Sequence, residues 1–514
     1  MVRKWSFGGR AEPVVVRVIQ SWPVLLAGAY RSFPSHGRMT VLQPRAFTPE
    51  ADVDSREPVL GFVIVGGPLV GAQVRDLRLA NELSRRGYPV HVWWAFDRPR
   101  KSCLDSSVQE HFLFSWSRYM VPRWPGASDQ IGRIAQKILP EKILSMAAQR
   151  LPGVMERQLR RVLRVICHGV EQDTGLIRRF ATEIEAAGVT HLLPNLEMLA
   201  PFVRAARDQV QWRPRYAVTF QGYEVYANDA RRIGLEETLY QRLAEVVRAS
   251  DYRAVAVSQP YAERIQREVG LLPTELSVIP PGVPVDQPLD RAEALRTVQS
   301  CFPRYRPEIP LVTYLGRQDS EKGLDLLLYA CRLLVDRGLS LQVALCGPTA
   351  FGDIYRRACA QIAEHLRIEP LQAGYVSDDL RSALFRCSRT VVYPSIHEEP
   401  FGMVPVEAMA QETPVLVPDR GGIAGVVEAE GHVGGLHFRC WDSGALASQL
   451  GNLIHSETLH GQLARGARRV ATCFSVHNLG QRVLGHLGLP PYFSDFSIQS
   501  AKIAANSQSV PRAA

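Results

Sequence analysis

Glu399 and Glu407 stand eight positions apart in the stretch Tyr393-Pro-Ser-Ile-His-Glu-Glu-Pro-Phe-Gly-Met-Val-Pro-Val-Glu-Ala-Met-Ala410. Ionised carboxylates accept strong hydrogen bonds from hydroxyl groups, which is the chemistry of gripping a sugar. The residues before them, Thr390 to Tyr393, read as a buried strand, and Met403 to Gln411 as the start of a helix. The turn between contains Gly402. Such a junction sets backbone N–H groups and the positive end of a helix beside the first carboxylate, where an α/β protein holds an anion. The second carboxylate lies further into the helix. Together the two can hold separate hydroxyl-bearing parts of one ligand and leave its phosphate to the N–H groups.

A second cluster follows the apolar run Leu311 to Leu315 and reads Gly316-Arg317-Gln-Asp-Ser-Glu-Lys322-Gly323. Glycine at a strand end lets backbone approach a ligand closely, and an arginine with a lysine can neutralise a diphosphate. These positions are useful only if several strand ends converge. The chain supplies the strands. From Pro58 onward, short apolar runs alternate with helical patterns, as βαβ units do. The first series has strands at 59–65, 89–94, 192–194, 216–220, 252–257 and 276–279. The second has strands at 311–315, 341–345, 371–373, 390–393 and 413–417, with a helix over 322–335. Two doubly wound domains of this kind turn their strand C-termini toward a shared cleft. The expected division is an N-terminal extension over 1–56, a first domain over 57–300, a second over 301–488 and a disordered tail over 489–514.

With 514 residues the chain exceeds what one core organises, and 46% apolar with 22% charged residues is ordinary for a globular protein. No apolar run reaches the roughly 20 residues of a spanning helix. Pro13 to Tyr30 is interrupted by Arg17, Gln20 and Pro23, which argues against a signal peptide. Nine cysteines without a CxxC pair fit a reducing compartment, so the expected location is the cytoplasm. The net charge is +9, and residues 118–164 hold ten Arg/Lys against three carboxylates. This basic helical insertion, about 118–170, has two readings. It is a solvated helix packed on its own domain, or it lies on an anionic membrane surface as a peripheral contact. No nucleic-acid motif accompanies the charge. GxGxxG, GxxxxGK[ST], GxSxG and HExxH are absent. No metal site and no cofactor are expected. Trp93 and Trp94 read as core.

Taken in order, Gly316-Arg317…Lys322-Gly323, Gly374-Tyr-Val376, Pro394-Ser395, Glu399-Pro-Phe-Gly402…Glu407-Ala-Met-Ala410 and Gly421-Gly422 resemble the motifs of the retaining, family-four glycosyltransferases of the GT-B fold. The resemblance is close over about 311–442. It extends more loosely through Gly66-Gly67, Val218-Thr-Phe-Gln-Gly222, Val257-Ser258 and Val278-Ile-Pro-Pro-Gly282. It implies a nucleotide-diphosphate sugar as donor substrate and a carbohydrate or lipid-linked hydroxyl acceptor, as in polysaccharide or glycolipid synthesis. Arg317 and Lys322 would bind the diphosphate, and Glu399 the donor sugar. The backbone from Phe401 through Gly402 to Met403 would touch sugar and phosphate, and Glu407 the ribose. Gly316 would admit the ligand, Tyr375 and Val376 would frame the base, and Gly66 and Gly67 would approach from the first domain. Relatives with His-Gly after the N-terminal strand differ from the Gln221-Gly222 found here. Gln221 substitutes if the position donates a hydrogen bond, and fails if a proton-accepting ring is required. His191 and His397 read as structural, and Glu224 as a residue of the acceptor side or of a solvated loop. Two other readings are a nucleotide-sugar epimerase or phosphorylase on the same fold, and a non-catalytic nucleotide-sugar-binding protein.

Overall fold

The computed structural model describes residues 56–66, 71–99, 103–115, 173–349 and 353–494. The extension expected over 1–56 (save its last residue), the basic insertion over 118–170, and Gly67 lie outside these residues.

The first domain opens on β1 (Leu60–Val65), whose side chains are buried almost throughout. A continuous apolar run suits a parallel strand covered on both faces. It is followed by α1 (Gly71–Arg85), β2 (Val90–Phe96), β3 (Gln109–Ser115), α2 (Thr174–Ala186), β4 (His191–Pro194) and α3 (Ala200–Arg207). The domain continues with β5 (Arg215–Tyr216), β6 (Thr219–Phe220), α4 (Glu224–Arg232), α5 (Glu236–Arg248), β7 (Ala254–Ala256), α6 (Gln259–Val269) and β8 (Leu276–Val278). Two parallel sheets result, ordered β3-β2-β1-β4-β5 and β6-β7-β8. The single strand expected over 216–220 is split. Ala217 still donates to Leu192 on one side, while Val218 accepts from Val255 on the other. The chain therefore steps from one sheet to the next inside one apolar run. Trp93 and Trp94 are buried, each indole N–H donating 2.8 Å to a carboxylate, Glu183 and Glu110 respectively.

The second domain holds α7 (Arg291–Cys301), β9 (Leu311–Leu315), α8 (Leu324–Asp336), β10 (Gln342–Cys346), α9 (Ile354–His365), β11 (Leu371–Ala373), α10 (Asp378–Cys387) and β12 (Thr390–Val392). After these come α11 (Met403–Ala410), β13 (Val415–Pro418), the small hairpin β14 (Glu428–Ala429) and β15 (His432–Val433), and β16 (Gly435–Phe438). Three helices close the chain: α12 (Ser443–His455), α13 (Glu457–Cys473) and α14 (Val476–His486). The sheet order is β11-β10-β9-β12-β13-β16, all parallel. Strand order reverses between β9 and β12, and ligands of open α/β sheets bind at such a point.

Two boundaries differ from expectation. Helix α7 packs on α10, so the break between domains falls before residue 291 rather than at 300. At the other end, α14 leaves the second domain and packs on α1. Its Leu479, Val483 and Leu484 join the apolar cluster around Phe62 and Leu77. The expected tail also begins later. Tyr88 Oη donates 2.5 Å to the Pro490 carbonyl and Phe493 N–H donates 3.1 Å to that of Arg86, so residues 489–494 are packed, not loose.

Candidate active site

Lys322 reaches its position through a local break in the chain. The helix expected from 322 starts instead at Leu324, after a 3-10 turn over Ser320–Lys322. Gly323 sits in the left-handed region at φ +65°, and a Cβ there would lie 2.2 Å from the Pro394 carbonyl. Only glycine meets both conditions. The turn presses Lys322 against the loop after β12, where the lysine is 4% exposed. Its Nζ donates to Glu399 Oε1, which also accepts from Ser395 Oγ at 2.9 Å. Glu321 Oε1 lies 3.4 Å from the same ammonium and 2.5 Å from Arg317 Nη2. Arg317 Nη1 is held by Asp319 at 2.6 Å. Arg317, Glu321, Lys322 and Glu399 thus form one connected charge network at the reversal point. Burial pulls the Lys322 pKa down, but the Glu399 and Glu321 carboxylates outweigh it and leave it raised. Arg317 follows the same logic: burial lowers it, Glu321 and Asp319 raise it further. Both cations stay charged at neutral pH.

Glu407 is held apart from this network. It accepts from Arg78 Nη2 of α1 at 2.7 Å, across the gap between domains, and Arg381 Nε stands 3.5 Å from its other oxygen. The loop joining the two glutamates is fixed by backbone contacts. Gly402 adopts φ +105°, and a Cβ would come 2.7 Å from Ile423 Cγ1. Gly422 N–H donates 2.7 Å to the Glu399 carbonyl. Among the described residues no side chain caps the start of α11, and its first turn contains no acidic residue. Its N-terminal N–H groups are therefore available to an anion, with the helix dipole behind them. Phe401 contributes only backbone, because its ring is buried against Phe474 at 5.4 Å. Met403 faces the first domain: its Cε would lie 3.5 Å from a Cβ on Gly71, the first residue of α1. The starts of α1 and α11 meet across the cleft.

The remaining expected residues divide. Tyr375 is 85% exposed, whereas Val376 is buried, so the pair presents one aromatic ring and one core anchor. Gly316 closes β9 beneath Tyr314, and its carbonyl would lie 1.9 Å from a Cβ on Gly347. Gly66 is required for an internal reason. A Cβ there would fall 2.0 Å from the Asp97 carbonyl, so the space it leaves is filled by its own domain. Gln221 is likewise engaged within its own domain. Its Nε2 donates to Asp76 Oδ2 at 2.9 Å and to the Asn195 carbonyl at 2.7 Å. Both amide hydrogens are spent, which leaves the amide oxygen as the group Gln221 can offer a ligand. Asp76 takes further bonds from Asn195 Nδ2 and Arg75 Nη1, each at 2.5 Å, yet burial leaves its pKa raised.

His397 and Glu224 face each other from opposite domains at 3.9 Å. Glu224 also accepts from Tyr261 Oη at 2.7 Å, which places it in the first domain's wall of the cleft rather than in a solvated loop. Beside it, burial pushes the Glu197 carboxyl up to about 7, with Tyr226 Oη donating to it in opposition. Ser258 Oγ receives the Tyr261 N–H, capping α6, and donates 2.6 Å to the Pro400 carbonyl. His191 lies elsewhere. It pairs with Leu60 at the N-terminal edge of the sheet, and burial drops its pKa to about 4. Sequence reading missed Arg78, Asp76 and Asn195. The signal for the first two is the charged run Arg75-Asp-Leu-Arg78 in a helix that is otherwise largely buried. Among the described residues no cluster suited to a metal ion occurs, and no helix is long and apolar enough to cross a membrane.

Residues 304–470 match the family described as glycosyl transferases group 1. A D-inositol 3-phosphate glycosyltransferase of Salinispora tropica is 33% identical over 218 residues, covering 40% of this chain and 44% of the relative. A mannosylfructose-phosphate synthase of Agrobacterium fabrum is 27% identical over 310 residues, 58% of this chain and 65% of the relative. The chain thus spans between 44% and 65% of the length of these two relatives. Among solved structures, Alr3699/HepE of Anabaena in complex with UDP and glucose superposes with TM-score 0.61 at 17% identity, covering 84% of this chain and 99% of that one. Sucrose-phosphate synthase of Thermosynechococcus elongatus gives TM-score 0.61 at 18% identity, covering 84% and 98%. At such identities the likeness establishes the fold, two Rossmann-like domains in the GT-B arrangement.

Proposed function

We propose that this chain, whose residues 304–470 are a glycosyl transferases group 1 domain on a GT-B scaffold, moves a sugar from a nucleotide-diphosphate donor to a hydroxyl acceptor with retention. The observation that carries this reading is the buried contact of Lys322 with Glu399 beside the uncapped start of α11. The charges of this network neutralise one another. A nucleotide sugar offers the complementary exchange: its phosphates replace carboxylates at Lys322 and Arg317, and its hydroxyls replace cations at Glu399 and Glu407. The same charges then favour the transition state, in which negative charge gathers on the departing diphosphate. Glu399 holds the sugar on the opposite side, and the departing phosphate oxygen takes the acceptor's proton. The acceptor enters from the first domain, along the wall carrying Glu224, Glu197 and the amide oxygen of Gln221. No proton transfer by Gln221 is required on this route.

A panel of nucleotide sugars in a thermal-shift assay identifies the donor, since a ligand bound to the native state raises its melting temperature. Donor consumption is then followed with candidate sugar and glycolipid acceptors, and the anomeric configuration of the product is read by NMR. A product of inverted configuration removes the retaining assignment. Donor binding that is identical in wild type and Lys322→Ala removes the site. Whether the basic segment 118–170 brings the enzyme to anionic membranes is a separate proposal. Vesicle co-sedimentation of wild type and a variant reversed at Arg157, Arg160 and Arg161 decides it, and equal binding of the two ends the idea.

A further inference from the structure

The turn that follows β16 carries a tryptophan in a conformation that suits glycine. Asp442 N–H donates 3.2 Å to the Arg439 carbonyl, closing a four-residue turn in which Trp441 sits at φ +66°. A third turn residue with positive φ is usually glycine or asparagine, because a Cβ there crowds the backbone. The indole gains little packing in return, since Trp441 is 64% exposed. Its neighbours fasten the turn without it. Cys440 N–H donates 3.0 Å to Asp419 Oδ1 and its Sγ donates 3.7 Å to the Ser395 carbonyl, while Asp442 caps α12 by accepting 2.8 Å from Ala445 N–H. A bulky ring held in strained backbone and left in water is the kind of outlier that points to a function.

The place of Trp441 in the sheet says what it meets. The order β11-β10-β9-β12-β13-β16 lines up the binding groups along the carboxyl edge. Tyr375 follows β11, Arg317 and Lys322 follow β9, and Glu399 follows β12. On the donor reading given above, on which this inference rests, base, diphosphate and sugar run in that order and the donor ends at β12. Trp441 stands two strands further along, roughly 10 Å at ordinary strand spacing. Cys440 ties the two places together, because Ser395, whose carbonyl it reaches, donates its own hydroxyl 2.9 Å to Glu399. The loops after β12 and β13 add exposed Glu398, Asp419 and Arg420 to the same edge. We propose that Trp441 is the stacking platform for the second sugar of an oligosaccharide acceptor, counted from the sugar whose hydroxyl receives the donor. One face of a pyranose ring is lined by C–H groups and packs on an aromatic ring, and its rim of hydroxyls suits charged side chains. The reacting sugar lies in the cleft against the first domain's wall, and the next one leaves the cleft over β16.

The test measures kcat/KM of the full chain with the donor found by thermal shift. The acceptors are methyl glycosides of glucose, galactose, mannose and N-acetylglucosamine, each as mono- and disaccharide, with octyl monoglycosides as a parallel arm. Wild type, Trp441→Gly and Trp441→Phe are compared, with melting curves. Wild type is expected to favour a disaccharide over its monosaccharide by about tenfold, the size of one aromatic contact. In Trp441→Gly that ratio falls toward one, and Trp441→Phe keeps part of it. Glycine suits the turn, so Trp441→Gly is expected to melt no lower than wild type. Should it fail to fold, Trp441→Asn, which also tolerates the left-handed backbone, is read by the same ratio. A wild type indifferent to acceptor length overturns the inference, and so does an equal loss on both lengths in Trp441→Gly. A preference for the octyl arm that vanishes with the ring also overturns it, since the platform would then serve a lipid. If wild type consumes donor with none of these acceptors, the transfer reading falls and the subsite with it. Consumption that proceeds without regard to acceptor length removes the subsite alone.

Discussion

Lys322 and Glu399 are placed so that neither is tolerable without the other. Both are nearly closed off from water, and removal of one partner strands the other's charge. Lys322→Ala is therefore expected to destabilise the second domain by about 3 kcal/mol and to lower turnover about 100-fold or more. Glu399→Gln keeps the shape and the Ser395 bond but loses the charge. Its expected signature is weakened capture of the donor sugar, with free nucleoside diphosphate still bound. Calorimetry with the sugar-bearing and sugar-free nucleotide separates the two variants, and equal losses for both ligands in Glu399→Gln would count against a sugar-side role. Arg317, Lys322, Glu399 and Glu407 were legible because each follows an apolar strand or opens a helix. Their partners were not. Arg78 is separated from Glu407 by 329 positions, and no local pattern announces such a contact. The same is true of Asp76 and Asn195, which take one amide hydrogen of Gln221 each and leave its oxygen to face a ligand.

At the scale of elements, the chemistry depends on turns that put a helix start against a strand end. Gly402 permits α11 to begin with its N–H groups uncovered, at φ +105° and in contact with Ile423. An alanine there costs about 1–2 kcal/mol for the left-handed backbone alone, and its Cβ must also displace the Ile423 side chain. Gly402→Ala is expected to leave the fold's circular dichroism intact while nucleoside diphosphate binding falls at least about tenfold, the size of effect expected when an anion site at a helix start is misaligned. Unaltered binding would mean that the start of α11 is not the phosphate site. Strands buried on both faces declared themselves as apolar runs, which is why β1, β9 and β12 were legible. β3 was not, since Gln109-Glu-His-Phe-Leu-Phe-Ser115 opens on exposed polar residues at the sheet's edge. The helix expected from Lys322 lost its first residues to Gly323, whose left-handed conformation ends one turn before the next element starts.

At the scale of the molecule, the contacts between domains include Arg78–Glu407, Ser258–Pro400 and Glu224–His397. The last of these gives closure a pH dependence. Burial alone pulls the His397 imidazole down, but Glu224, Glu399 and Glu321 outweigh it and hold it above its usual 6.5. A group with a raised folded pKa stabilises fully below its ordinary pKa, and that contribution drains away as pH rises through the raised value. Glu224 has the opposite sign. Burial pushes it up, His397 and Tyr261 outweigh burial, and its contribution is lost only as pH falls through the depressed value. The pair is therefore whole in the weakly acidic range and fails on the alkaline side of 6.5. Between about pH 6.5 and about pH 8 the melting temperature of wild type is expected to fall more steeply than that of His397→Gln. Glu399 and Glu321 lie in the same domain as His397, so that comparison mixes closure with local stability. Glu224→Gln removes the charge that faces His397 across the cleft and keeps an amide oxygen to accept from Tyr261 Oη. If closure carries the effect, the ligand-free wild type expands in small-angle scattering as pH rises, whereas Glu224→Gln is already expanded at about pH 6.5 and changes little. Parallel behaviour of the two proteins would confine the titration to the second domain and leave the cleft indifferent to the proton.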